Sequence, residues 1–175
     1  MTREKVSELA AGSGFSNWGY FDPGELRLKK EVRAMCASDR CRHYGRSWSC
    51  PPYCGTLDEL GVRLGTFGQG IVLQTTGEIE DSFDYEDMME AERLHKEKME
   101  AIHSLTSDES CLALSSGPCM LCDGCTCPDR PCRMPDKMMY SMEAYGLIVS
   151  EVCDLAGVPY RYGENTVTFT GCLLY

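Results

Sequence analysis

Cysteine is the residue type in this sequence with the greatest potential for chemistry. The chain of 175 residues contains twelve cysteines. Eight of them fall into two groups of four at short spacing, a pattern more typical of metal ligands than of disulfides in a reducing compartment. The first group is Cys36, Cys41, Cys50 and Cys54, and the second is Cys119, Cys122, Cys125 and Cys132. The sequence therefore predicts two metal-binding segments, at 36–54 and 119–132.

The second group begins with the spacing C-x2-C-x2-C. Three thiolates at this spacing can wrap the corners of one iron–sulfur cubane, as in bacterial ferredoxins. A zinc site more often joins two separate C-x2-C turns. The second group thus favours a [4Fe–4S] cluster, with Zn²⁺ as the alternative.

The fourth ligand of the second group could be either of two cysteines. Cys127 follows Cys125 after one intervening residue, and Cys132 follows it after six. Pro128 and Pro131 stiffen the path to Cys132, so that this loop can reach the fourth corner of a cubane. We expect Cys132 to be the ligand and keep Cys127 as the reserve.

The first group has the looser spacing C-x4-C-x8-C-x3-C, which by itself leaves a cluster and zinc both open. Its neighbours include aromatic residues that could shield a cluster and arginines that could offset its charge, namely Tyr44, Trp48, Tyr53, Arg40, Arg42 and Arg46. His43 could replace a thiolate in a Cys3His zinc site, although a lone histidine more often donates a hydrogen bond or faces solvent.

The remaining cysteines and histidines have simpler interpretations. Cys111, Cys153 and Cys172 lie in apolar strand or helix contexts and should pack in the core. His95 and His103 lie on a long predicted helix and are interpreted as surface residues. The sequence shows no phosphate-binding loop, dinucleotide fingerprint or nucleophile elbow.

Helical and strand patterns alternate along the chain. Helices are predicted at 2–11, 25–35, 57–65, 82–105 and 142–156, and strands at 18–21, 70–76, 111–115 and 167–174. This alternation favours an α/β fold, with α+β as the alternative. We expect a single domain over 1–175, with a mixed sheet, flanking helices and two cysteine-rich loops.

Composition restricts the partners. Hydrophobic residues make up 43% of the chain, charged residues make up 25%, and the formal net charge is −10. Such an acidic balance argues against nucleic acid as a partner. No apolar run approaches the roughly 20 residues that span a bilayer, and residues 1–8 lack the pattern of a signal peptide. We therefore expect a cytoplasmic protein with no membrane partner.

Both cysteine groups and their flanks resemble a known family. The motifs are Tyr44-Gly45-x-Ser47-Trp48-x-Cys50-Pro51-Pro52, Gly117-x-Cys119-x2-Cys122-x2-Cys125, Cys132-Arg133-x-Pro135 and Ser141-Met142-Glu143-Ala144-x-Gly146. They are similar to an uncharacterised family of predicted metal-binding proteins, found mostly in anaerobic bacteria and archaea. The resemblance covers nearly the whole chain and implies a metal or iron–sulfur protein with no assigned reaction.

These observations lead to one hypothesis and two alternatives. The hypothesis is a small iron–sulfur protein with two [4Fe–4S] clusters that transfers single electrons to or from a partner enzyme. The first alternative is an interaction module whose cysteine loops fold around zinc. The second is an enzyme with an open iron site, which the three-cysteine kernel of the second group would permit.

Overall fold

Residues 1–81, 84–107 and 110–175 are described by a computed structural model of the chain. The helices within these residues are α1 (Arg3–Gly12), α2 (Lys30–Ala37), α3 (Leu57–Leu64), α4 (Tyr85–Leu105) and α5 (Val149–Leu155). The strands are β1 (Asn17–Phe21), β2 (Gly70–Glu78), β3 (Leu112–Ser115), β4 (Tyr140–Ser141) and β5 (Thr166–Leu174). A short 3-10 turn, Pro23–Glu25, follows β1. Among the described residues, no helix is both long and apolar enough to cross a membrane.

The five strands form one sheet in the order β1-β2-β5-β3-β4. The pairs β1/β2, β2/β5 and β5/β3 are antiparallel, whereas β3 and β4 are parallel. Together with the helices on both faces, this mixed sheet confirms the predicted single-domain α/β fold.

Alternation of side chains along the strands divides the core into two layers. Ile71 and Leu73 of β2 are buried in the cluster that contains Val6 of α1 and Met99 of α4. Val72, between them, belongs to the opposite cluster, which contains residues of α3 and α5. Helices α1 and α4 therefore cover one face of the sheet, and α3 and α5 cover the other.

The two cysteine groups lie in irregular segments that connect regular elements of the fold. Parallel strands need a crossover of a dozen or more residues, which is usually a helix. Here the crossover from β3 to β4 is the irregular segment 116–139, which carries the second group. The first group begins in the last turn of α2 and continues through the loop to α3. The cysteine loops thus replace regular structure near the β4 edge of the sheet.

The predicted helix at 142–156 is wrong over its first half. Ser141, the residue before this predicted helix, lies in β4 and pairs with Ser115. Gly146 then adopts a φ of +76°, which ends any helical path. Helix α5 consequently begins at Val149, whereas its end before Gly157, with a φ of +66°, agrees with the prediction.

Two other helix starts differ from the sequence pattern. The predicted helix at 25–35 is the 3-10 turn followed by an extended segment, and α2 begins only at Lys30. The predicted start of the long helix at Ser82 lies outside the described residues. Helix α4 begins at Tyr85, after Asp84, whose side chain accepts a hydrogen bond from the Asp87 N–H at 3.2 Å.

The interpretation of His95 as a surface residue is also wrong. His95 is fully buried, and its Nδ1 lies 3.2 Å from Thr75 Oγ1. It is spaced by four residues from both Ala91 and Met99, so it shares their buried helix face. Leu94, one position earlier, lies on the exposed face of the helix.

Candidate metal centre

The first group surrounds an open cavity. Cys36, Cys41 and Cys50 line a space of about 770 Å³. The Cys54 thiol lies close enough to Cys36 and Cys50 to interact with them electrostatically. Cys50 and Cys54 are buried, Cys36 is half-buried and Cys41 is exposed. The structure therefore brings all four predicted residues together, with Cys41 on the solvent side.

Arg33 of α2 contacts the most enclosed part of this group. Its guanidinium donates to Cys54 Sγ at 3.3 Å, to the Ala144 carbonyl at 2.7 Å and to the Gly55 carbonyl at 2.9 Å. These bonds tie α2, the first cysteine loop and the turn after β4 to one another. A charge-assisted donor beside sulfur stabilises the thiolate form, which is the form that binds metals.

Burial governs the protonation of the first group. It raises the pKa of the Cys36, Cys50 and Cys54 thiols above the usual value, and Arg33 partly opposes this increase at Cys54. Without metal these thiols are therefore protonated near neutral pH. Since metals bind the thiolate, binding at this group must release protons.

The second group is more tightly packed. Cys119, Cys122, Cys125 and Cys132 line one narrow pocket of about 20 Å³. Cys127 does not line this pocket; its Sγ lies 4.0 Å from the Gly45 carbonyl oxygen, and its thiol is close enough to Cys125 and Cys50 to interact with both electrostatically. The four residues expected from spacing thus share one pocket, and the reserve Cys127 faces the first cysteine loop.

The two cysteine loops contact each other directly. The Cys119 N–H donates to Ser49 Oγ at 3.1 Å. Trp48 Nε1–H donates to the Arg130 carbonyl at 3.1 Å. Residues of the second loop, Gly117 and Pro118, also line the cavity of the first group. The two groups therefore form one continuous region of the molecule.

Three cysteines of the first group and all four of the second group line a cavity. Within residues 1–81, 84–107 and 110–175, no three Cys, His, Asp or Glu side chains are placed to hold one metal ion. None of these eight cysteines forms a disulfide.

The aromatic residues that were expected to shield the first group are divided between the two groups. Tyr44 lines the first cavity. Trp48 packs edge-on against Tyr53, with ring centroids 5.2 Å apart, and both residues line a groove beside Cys132. Arg40 lines the first cavity, and Arg46 pairs with Asp39 at 3.4 Å.

The other cysteines mostly follow the prediction of core packing. Cys153 and Cys172 are fully buried in the core, and Cys111 is half-buried at its edge. His43 is half-buried between Cys41 and Cys50 in the chain.

Two residues at the site were missed by sequence reasoning, namely Arg33 and Ser49. Arg33 lies 21 positions from Cys54, and Ser49 lies 70 positions from Cys119. Nothing in the local spacing indicates these contacts. Ser49 occupies the unspecified position of the motif Trp48-x-Cys50, so the family resemblance gave no signal for it either.

Comparison with known proteins gives one match. The profile of the predicted metal-binding protein family DUF2284 matches residues 20–175. The chain belongs to this family. The family name supports metal binding by a cysteine-rich protein and specifies neither the metal nor a reaction. No curated protein and no solved structure matches the chain.

Proposed function

We propose that this protein is a cytoplasmic iron–sulfur protein that binds two [4Fe–4S] clusters, one in each cysteine group. It would exchange single electrons with a partner redox protein. The observation that carries the proposal is the grouping of the cysteines. Cys54 lies beside the three cysteines that line the first cavity, the four cysteines of the second group line one pocket, and the two loops contact each other.

The donor set of each group fits a cubane. Four cysteine thiolates are the usual ligands of a [4Fe–4S] cluster, which supplies one-electron chemistry when bound. In the first group, Cys36, Cys41, Cys50 and Cys54 would hold the cluster, and Arg33 would donate to the Cys54 sulfur. In the second group, Cys119, Cys122, Cys125 and Cys132 would hold it, with Met134 and Met138 excluding water.

Charge near the first group supports a redox partner. A cluster with four thiolates adds negative charge to a chain whose formal net charge is already −10. Arg40 and Arg42 are exposed on the first cysteine loop, and Arg40 lines the cavity. This basic surface would offset the cluster charge and attract an acidic partner.

A pair of single substitutions tests the ligand set of the second group. Cys132→Ser should remove one cluster, because serine is a harder and less readily ionised ligand for iron. Cys127→Ser should retain both clusters, because Cys127 faces Gly45 rather than the shared pocket. The number of clusters in each variant is measured by iron content and by electron paramagnetic resonance (EPR) after reduction. Loss of a cluster in Cys127→Ser, with both retained in Cys132→Ser, would reverse the assignment.

The cavity at the first group supports a second candidate function, an enzyme with an open iron site. The space of about 770 Å³ falls within the size range of ligand pockets and is lined by Cys41, which is exposed. Glu143 also lines it, and within the described residues the buried Glu143 Oε2 has no hydrogen-bond partner. The three-cysteine kernel of the second group predicts an open iron site there, whereas the larger cavity lies at the first group.

Cyanide distinguishes the two candidates. An iron without a fourth cysteine should bind this small anion and change the EPR spectrum of the reduced protein. An unchanged spectrum is expected for two fully cysteine-ligated clusters and would favour electron transfer. Cys41→Ser provides the comparison, because it removes the exposed ligand that lines the cavity.

A further inference from the structure

Ser49 occupies the contact between the two cysteine groups. It is 1% exposed, and its Oγ accepts the Cys119 N–H at 3.1 Å. The same Oγ lies 3.8 Å from Cys50 Sγ, within hydrogen-bond distance for sulfur, and 3.0 Å from Ser47 Oγ. One buried hydroxyl therefore contacts a predicted ligand of each cluster.

The direction of these hydrogen bonds follows from their chemistry. A hydroxyl has one proton to donate and two lone pairs. The Cys119 N–H can only donate, and a Cys50 thiolate can only accept. An arrangement that satisfies all of these groups has Ser49 donating to Cys50 and Ser47 donating to Ser49.

Ser47 completes this arrangement. Its own oxygen accepts the Ser49 N–H at 3.4 Å. With Cys50 as a thiolate, every donor in the chain from Ser47 through Ser49 to Cys50 has an acceptor. The network is thus fully satisfied in the metal-binding state of Cys50.

We propose that Ser49 is a positioning residue that links the two metal centres and sets the reduction potential of the first. The inference rests on the proposed function. A hydrogen bond to a ligand sulfur stabilises the more negative, reduced state of a cluster and so raises its potential. The bond to the Cys119 N–H holds the first ligand of the second centre beside Cys50. With clusters bound, Ser49 would donate the same hydrogen bond to Cys50 in the oxidised and the reduced state, so that no proton would move with the electron.

Reduction potentials test this role. Wild type, Ser49→Ala and Ser47→Ala would be purified without air, assayed for iron and sulfide, and titrated with dithionite while EPR follows each centre. Ser16→Ala is the matched control, because Ser16 Oγ also accepts a backbone N–H, that of Thr76 at 3.1 Å, on the β2 strand. Ser49→Ala should retain iron and shift the midpoint of the first centre to a more negative potential. Ser47→Ala should shift it less in the same direction, and Ser16→Ala should match wild type.

Each other outcome has a defined consequence. Full iron loading of Ser49→Ala with an unchanged first midpoint, or a shift confined to the second centre, would overturn the role of Ser49. If Ser49→Ala does not load, a negative shift in Ser47→Ala supports the proposal, and an unchanged midpoint or failure to load overturns it. Wild type that contains zinc and no acid-labile sulfide would refute the proposed function itself, which is a distinct result.

Discussion

Mild acidification should destabilise this protein through His95. The side chain is fully buried, and within the described residues its Nε2 has no hydrogen-bond partner. Burial lowers the pKa of His95 from 6.5 to about 3, and the positive charges of Lys98 and Lys96 act in the same direction. The folded protein therefore holds His95 neutral at pH values where an unfolded chain protonates it.

The size of the effect follows from the two pKa values. Between pH 6.5 and pH 3 the unfolded chain binds one more proton than the folded protein at this residue. The free energy of unfolding should then fall by about 1.4 kcal/mol for each pH unit below 6.5. Above pH 6.5 His95 causes little loss of stability, and at pH 5 it lowers the free energy of unfolding by about 2 kcal/mol.

Urea unfolding at pH 7.5 and pH 5 measures this loss. His95→Gln removes the titrating group and keeps a side chain that can bond to Thr75. Wild type should lose about 2 kcal/mol more than His95→Gln between the two pH values. His103→Gln, two turns further along α4, leaves His95 in place and should show the wild-type loss. Equal losses in wild type and His95→Gln would refute the reasoning.

Three further predictions concern the segments that hold the site. Gly146→Ala should lower the free energy of unfolding, measured in urea, by about 2–3 kcal/mol. The backbone φ at this residue is +76°, and the new Cβ would lie 2.7 Å from Leu57 Cδ2 and 3.1 Å from the Lys29 carbonyl oxygen. Gly157→Ala, at a φ of +66° with open space around it, should cost only about 1–2 kcal/mol, and equal losses would contradict this account. Arg33→Gln should reduce the iron bound per chain by weakening the bonds to Cys54 Sγ and the Ala144 carbonyl, and unchanged iron would show that they do not support the first group. Reconstitution with iron and sulfide should fill the first group faster than the second, because the cavity at the first measures about 770 Å³ and the pocket at the second about 20 Å³. Cys119→Ser, which leaves the first group intact, should therefore gain iron faster than Cys36→Ser, which leaves the second intact, and the opposite order would contradict this.

Local signals in the sequence predicted the elements that depend on neighbouring residues. Thr56 and Glu59 stand in the T-x-x-E sequence of a capping box, which predicts a helix start at Leu57, and both reciprocal bonds are present at the start of α3. The apolar runs of β2 and β5 predicted the centre of the sheet. These signals succeeded because a cap or a strand pattern is formed within a few residues.

Features that depend on distant contacts could not be predicted in this way. The helical pattern at 142–156 failed because Ser141 pairs with β3 and Gly146 packs against Lys29 and Leu57. The sheet also buries His95 on α4, which the polar character of histidine argued against. The spacing of the cysteines indicated which thiols belong together, but the links through Arg33 and Ser49 exist only once the chain is folded.

Iron and acid-labile sulfide analysis of the wild-type protein, purified without air, tests the central proposal most directly. Two [4Fe–4S] clusters predict about eight iron and about eight sulfide ions per chain, together with a brown colour. Bound zinc in a colourless protein without acid-labile sulfide would contradict the proposal and favour the zinc-folded interaction module.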